Sequence, residues 1–216
     1  MNRLGHTLSG VAAGVWSLPV APISGAAGSV VWVAAVTGFA LAPDLDHPKA
    51  TAANMWGPVT RAPSAFLTHR GFTHRPAGVA AAVVTAWAAV TGALAPLVTA
   101  VAAVFGHAHP GQFGHTVGAW ALLAVLAVTA GLALAAARVP WPLNLPASWA
   151  AAAATVWVGF PLAWLPWAVA LGVAVHIAGD RVPGHREPIA VALCLAALAA
   201  WPYRAHLGAL IEGVNA

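Results

Sequence analysis

Not one Asp, Glu, Lys or Arg occurs between Leu8 and Ala42, between Pro76 and Ala137, or between Val139 and Gly179. Nothing else in the sequence restricts the fold so strongly. Charged residues make up 6% of the 216 positions and hydrophobic ones 61%, against about 25% and about 45–50% in an ordinary soluble domain. Such a chain cannot cover itself with polar surface, so lipid is the solvent it is built for. In lipid every backbone polar group needs an internal partner, which leaves helices or a closed barrel. The apolar runs are Ala-rich and lack the period of two that a barrel strand needs. The fold class expected is all-α, a polytopic transmembrane helical bundle.

Apolar segments run from Leu8 to Ile23, Ala26 to Ala42, Ala77 to Gly92, Leu94 to Phe105, Val117 to Ala137, Ala147 to Ile177 and Ile189 to Trp201. At roughly 20 residues per crossing they predict about six or seven membrane segments. Some are short or kinked, because Pro19, Pro22, Pro96, Pro161 and Pro166 interrupt or border them. No internal repeat or linker marks a boundary, so residues 1–216 read as a single domain. The opening Met1-Asn2-Arg3 followed by an apolar run resembles a signal peptide, but the apolar character continues to Ala42, which favours a retained first helix. Cys194 is the single cysteine; it allows no intrachain disulfide and reads as a packing residue.

If each segment crosses once, with Ala147 to Ile177 as one kinked crossing, four stretches share a face. These are the N-terminus, Pro43 to Pro76, the loop His107 to His115, and Gly179 to Pro188. That face holds Arg3, Lys49, Arg61, Arg70, Arg75, Arg181 and Arg186, leaving Arg138 and Arg204 opposite. The positive-inside rule then makes it cytoplasmic. Trp16, Trp56, Trp141, Trp149 and Trp201, near segment ends, read as interfacial anchors. The nine basic residues exceed the five acidic ones, but they are scattered. That arrangement favours anionic headgroups or phosphate over nucleic acid.

In a chain so poor in charge, four motifs stand out: Gly5-His6, Pro43-Asp44-Leu45-Asp46-His47-Pro48, His69-Arg70-Gly71-Phe72-Thr73-His74-Arg75, and His176-Ile177-Ala178-Gly179-Asp180. His176 and Asp180, four apart, project from one face of a helix and can grip one ion, although a simple His-to-Asp hydrogen bond would use the same spacing. Asp44 and Asp46 alternate through a Pro-bounded turn; close together they repel unless a cation sits between them, and solvated carboxylates or a pairing with Lys49 are the other reading. His69 and His74, five apart around Gly71, suit a turn or helix entry. Arg70 and Arg75 set fixed positive charge beside them, and guanidinium groups match phosphate oxygens; a cationic loop against anionic lipid is the plainer reading of Arg75. His107, His109 and His115 lie among Gly and Pro with no carboxylate near, so they read as a solvated loop more than as an auxiliary site. His185, Arg186 and Glu187 can serve as a second shell or as proton carriers.

The order Gly-His, PDLDHP, HRGFTH and HxxxD, with apolar helices between, resembles the YdjM-like family of LexA-regulated, inner-membrane-associated metal-dependent hydrolases. The resemblance implies a helical membrane enzyme of the inner or plasma membrane acting on phospholipids, with a distant likeness to zinc-dependent phospholipase C enzymes. It points to His6, Asp44, Asp46, His69, His74, His176 and Asp180 as metal ligands. Where the family commonly has Thr three residues after HxxxD, this chain has Pro183.

Seven candidate ligands exceed the needs of one tetrahedral zinc, so the expectation is two or three divalent ions, zinc first and manganese or iron next. The reaction expected is hydrolysis of a lipid phosphoester by metal-activated water, with Asp44 or Asp46 taking the proton and Arg70 countering the developing charge. Its partners would be the bilayer and a lipid-phosphate substrate, not nucleic acid. A divalent-metal transporter using the HxxxD pair, with ligands near the midplane, and a non-catalytic protein with a structural metal are the rivals.

Overall fold

The structure, a computed structural model, describes residues 3–66 and 71–181. His69 and Arg70 therefore lie outside the described residues, as do the segment Ile189 to Trp201, Cys194, and His185 with Arg186 and Glu187. Among the described residues every regular element is helical. Proline and glycine set the boundaries. Pro76 opens α4 (Pro76–Thr91) at a position where its missing N–H has no partner to lose, and Gly92 closes it in the left-handed region at φ 73°. A bend of 90° follows, into α5 (Leu94–Val104). Pro110 likewise opens the long α6 (Pro110–Ala136). Before them come α1 (Arg3–Trp16), α2 (Gly25–Phe39) and the single turn α3 (Pro58–Arg61); after them come α7 (Trp141–Trp157) and α8 (Leu165–Arg181).

At the centre, α2 touches α1, α6 and α8. Without a hydrophobic drive between helices in lipid, close approach and packing hold such contacts together. Small residues permit it. Gly10 and Gly14 of α1 lie against Thr37, Ala40 and Val33, so α1 and α2 run antiparallel. Gly38 sits on the backbone of Leu132 and Ala133, and Gly172 of α8 sits on Val36, Phe39 and Ala40. The buried core is built around Val36, Ala40, Leu41, Leu132, Leu165 and Ala168.

Among the described residues the spans are fewer than the roughly six or seven expected from the sequence. Two helical stretches there, Gly25–Asp46 and Pro110–Ala136, are long and apolar enough to cross a membrane, and three if the bent pair Pro76–Thr91 and Leu94–Val104 counts as one. The other helices stop short of the ~20 residues that a ~30 Å hydrocarbon core requires: α1 has 14 residues, α7 17 and α8 17. The stretch Ala147 to Ile177 is no kinked single crossing, because the chain breaks between Trp157 and Leu165 around Gly159 and Pro161.

The bend after α4 also corrects which loops share an end. Leu132 and Ala133, near the C-terminal end of α6, pack against Gly38 at the end of α2 that leads into Asp44 and Asp46. With 27 residues at about 1.5 Å each, the start of α6 lies roughly 40 Å from its end. The loop of His107 and His109, with His115 one turn into the helix, is thus at the far end from the PDLDHP turn. Arg138, expected opposite, follows α6 at the near end. That end holds Asp44, Asp46, Lys49, Arg61, Arg75, Arg138, Asp180 and Arg181, and the far end holds none of the described Asp, Glu, Lys or Arg side chains.

Candidate metal centre

Four segments converge at the near end. His6 sits in the first turns of α1. Asp44 and Asp46 lie in a 3-10 turn, Ala42–Asp46, that continues α2 where Pro43 prevents ordinary helix. His74 ends a second 3-10 turn, Phe72–His74, just before Pro76 opens α4. His176 and Asp180 share one face of α8. His6, Asp46 and His176 are each at most 1% exposed, which at membrane depth calls for a specific partner.

The hydrogen bonds fix how two of the imidazoles are protonated. His176 Nδ1 lies 2.8 Å from Ala40 O; a carbonyl only accepts, so Nδ1 carries the proton and Nε2 the lone pair. Thr73 Oγ1 donates to Asp46 Oδ2. Having spent its proton there, the hydroxyl accepts from His74 Nδ1 at 3.1 Å, while Asp46 Oδ2 lies 3.3 Å from the same nitrogen. His74 Nε2 therefore also carries a lone pair. The two Nε2 atoms face each other at 3.0 Å. Burial, with His176 acting in the same direction, holds the His74 imidazole below its ordinary 6.5 against the opposing pull of Asp46, Asp180 and Asp44. A divalent cation between the two Nε2 atoms would satisfy both.

The carboxylates complete the arrangement. Asp180 Oδ2 is 3.5 Å from His74 Nε2 and 3.6 Å from His176 Nε2, and Asp180 Oδ1 is 3.5 Å from His6 Nε2. Asp44 Oδ1 lies 3.8 Å and 3.7 Å from the same two Nε2 atoms of His74 and His176. The His6 ring stacks on that of His176 with centroids 3.7 Å apart, and His6 Nδ1 is buried with no hydrogen-bond partner among the described residues. Ligand atoms of His6, Asp44 and His176 lie within 4.8 Å of one another, and so do those of His74, His176 and Asp180. This donor set of imidazole and carboxylate fits zinc, manganese or iron.

The structure thus brings together five of the seven residues named from sequence as ligands. Asp46 stands one step back, behind His74. His69 lies outside the described residues, and so does Arg70. His107, His109 and His115 are exposed at the far end, with His107 stacked on Phe113 at 4.6 Å. Arg75 is exposed. Of the tryptophans expected as anchors, Trp16 and Trp141 are exposed, but Trp56 is buried and donates its indole N–H to Ser148 Oγ at 3.0 Å. Two participants escaped the sequence reading. Thr73 was in view inside HRGFTHR, and its hydroxyl next to a ligand histidine was the available signal. The Ala40 carbonyl had none.

Comparisons with curated proteins and with solved structures return no match. Residues 1–111 match the model of a family described as YdjM inner membrane protein, and this region contains His6, Asp44, Asp46, Thr73 and His74, while His176 and Asp180 follow it. A helical bundle with its charges gathered at one end accords with that description, and with just over half of its length matched the chain belongs to the YdjM inner membrane protein family.

Proposed function

We propose that this chain is a membrane-embedded, metal-dependent hydrolase that cleaves a phosphoester of a phospholipid or another lipid phosphate. The observation that carries the reading is the opposed pair of Nε2 atoms of His74 and His176 at 3.0 Å, flanked by Asp44 and Asp180. His6, Asp44, His74, His176 and Asp180 would hold a divalent ion, zinc first and manganese or iron next. Bound there, the ion supplies Lewis acidity and lowers the pKa of water toward neutrality.

The chain's own groups support the rest. Asp44 is partly exposed, so its second oxygen can take a proton from an incoming water. Lys49, Arg61, Arg75, Arg138 and Arg181 surround the same end of the bundle and attract phosphate; Arg70 is assigned the same charge-countering role from sequence. A cluster at the end of the helices lets a headgroup reach it while the chains stay in the bilayer. A transporter would instead need ligands near the midplane. The crowding of positive charge at this end supports a site on the cytoplasmic side by the positive-inside rule.

The test is metal content of the purified full-length protein, together with phospholipid and prenyl-phosphate hydrolysis by wild type, His176→Ala and Asp44→Ala. Wild type should release phosphate or a phosphorylated headgroup and both variants should lose at least 100-fold of that rate. A wild type that keeps its metal, moves ions across liposomes and cleaves neither substrate is a transporter.

A further inference from the structure

The two overlapping ligand groups share His176. An imidazole has two nitrogens, and in His176 one of them, Nδ1, is committed to the Ala40 carbonyl. Only Nε2 remains, with a single in-plane lone pair that serves one ion. The groups His6-Asp44-His176 and His74-His176-Asp180 therefore cannot be two separate sites. They are two views of one, since each must use the same nitrogen of the same ring.

Asp46 bears on the same question from the other side of His74. Its Oδ2 takes the Thr73 hydroxyl proton and lies against His74 Nδ1, the nitrogen turned away from the other ligands. A carboxylate there fixes the ring and raises the basicity of its far nitrogen, which is how outer-shell partners of metal-bound histidines act. It is at most 1% exposed, as suits an orienting group.

We propose that His6, Asp44, His74, His176 and Asp180 converge on a single divalent ion, and that Asp46 with Thr73 is a positioning pair for His74 and not a second metal site. This rests on the metal-binding half of the function proposed above and is independent of whether the reaction is hydrolysis. It replaces the sequence expectation of two or three ions for the described cluster.

Elemental analysis of the purified full chain, with cobalt exchanged for the native metal, tests it. Wild type should hold one equivalent per chain. Asp46→Asn should still hold one, with the cobalt absorption bands retained and affinity in chelator competition lowered roughly 10–100-fold. Thr73→Val should shift affinity in the same direction and Thr73→Ser should restore it, a pair that keeps the test alive if Asp46→Asn fails to fold. Two or three equivalents in wild type, or a whole equivalent lost in Asp46→Asn or Thr73→Val, overturns the proposal. Wild type that binds no metal at all removes the metal-binding reading itself, a separate outcome.

Discussion

His176 and Ala40 are 136 residues apart in the chain and 2.8 Å apart across the contact of α8 with α2. That bond sets which nitrogen of His176 faces the cluster, and it exists because α8 lies unusually close to α2. Gly172, one turn before His176, makes the approach possible: a Cβ there would lie 2.6 Å from Phe39 Cβ and Val36 O and 3.0 Å from Ala40 N.

Gly172→Ala should therefore loosen the ion as well as the fold. Alanine gains up to ~1 kcal/mol in helix propensity, but two of the three nearest atoms are backbone and cannot swing away, so overpacking of about 1–3 kcal/mol wins. The expected result is a lower unfolding midpoint in mixed micelles and weaker metal retention in chelator competition, both larger for Gly172→Val. Gly92→Ala, where nothing lies within 4 Å of the added Cβ, should weaken the fold through its φ of 73° without changing metal retention in the folded protein.

Acid should act through His74. Its pKa in the folded chain lies below the ordinary 6.5, so between those two values the unfolded chain binds more protons than the folded one, and stability rises with pH there. Metal-stripped protein should show a flat unfolding midpoint above about pH 7.5 and a decline as pH falls below 6.5. His74→Gln should reduce that slope. Protons also compete with the metal for the same nitrogen, so metal loss should set in over the same acidic range.

Much of the site was legible because its chemistry is rare in so apolar a chain. The i, i+4 spacing of His176 and Asp180 needed only a helix to put both on one face, and the turns Ala42–Asp46 and Phe72–His74 follow from Pro43, Gly71 and Pro76. The sorting of ligands from their supports was not legible. Asp44 and Asp46 are two residues apart in one turn, and only the position of Thr73 and His74 separates their roles. Segment counting failed at Gly92 for a related reason: periodicity and hydropathy are the same on both sides of a left-handed glycine, so the 90° bend and the far-end placement of His107 to His115 left no mark in the sequence.

Trp56 links the loop after the PDLDHP turn to α7 through Ser148 Oγ, which in turn donates to Leu145 O. Trp56→Phe keeps most of the buried ring and deletes the donor, at a cost of about 0.5–1.5 kcal/mol. A double-mutant cycle with Ser148→Ala should return a coupling of similar size, measured by unfolding in mixed micelles. Metal stoichiometry should be unchanged, because neither residue is among those that converge on the ion.

The orientation of the bundle is open to chemical labelling. Every described Lys, Arg and Asp side chain lies at the cluster end, whereas His107 and His109 mark the end about 40 Å away by the length of α6. In a Cys194→Ala background, a cysteine at Lys49 and one at His109 report the two ends, and both parent residues are exposed. With positive charge retained on the cytoplasmic side, an impermeant maleimide added outside intact spheroplasts should label His109→Cys and spare Lys49→Cys. Inverted vesicles should reverse the result. Labelling of Lys49→Cys from outside would put the cluster, and any substrate it takes, in the outer leaflet.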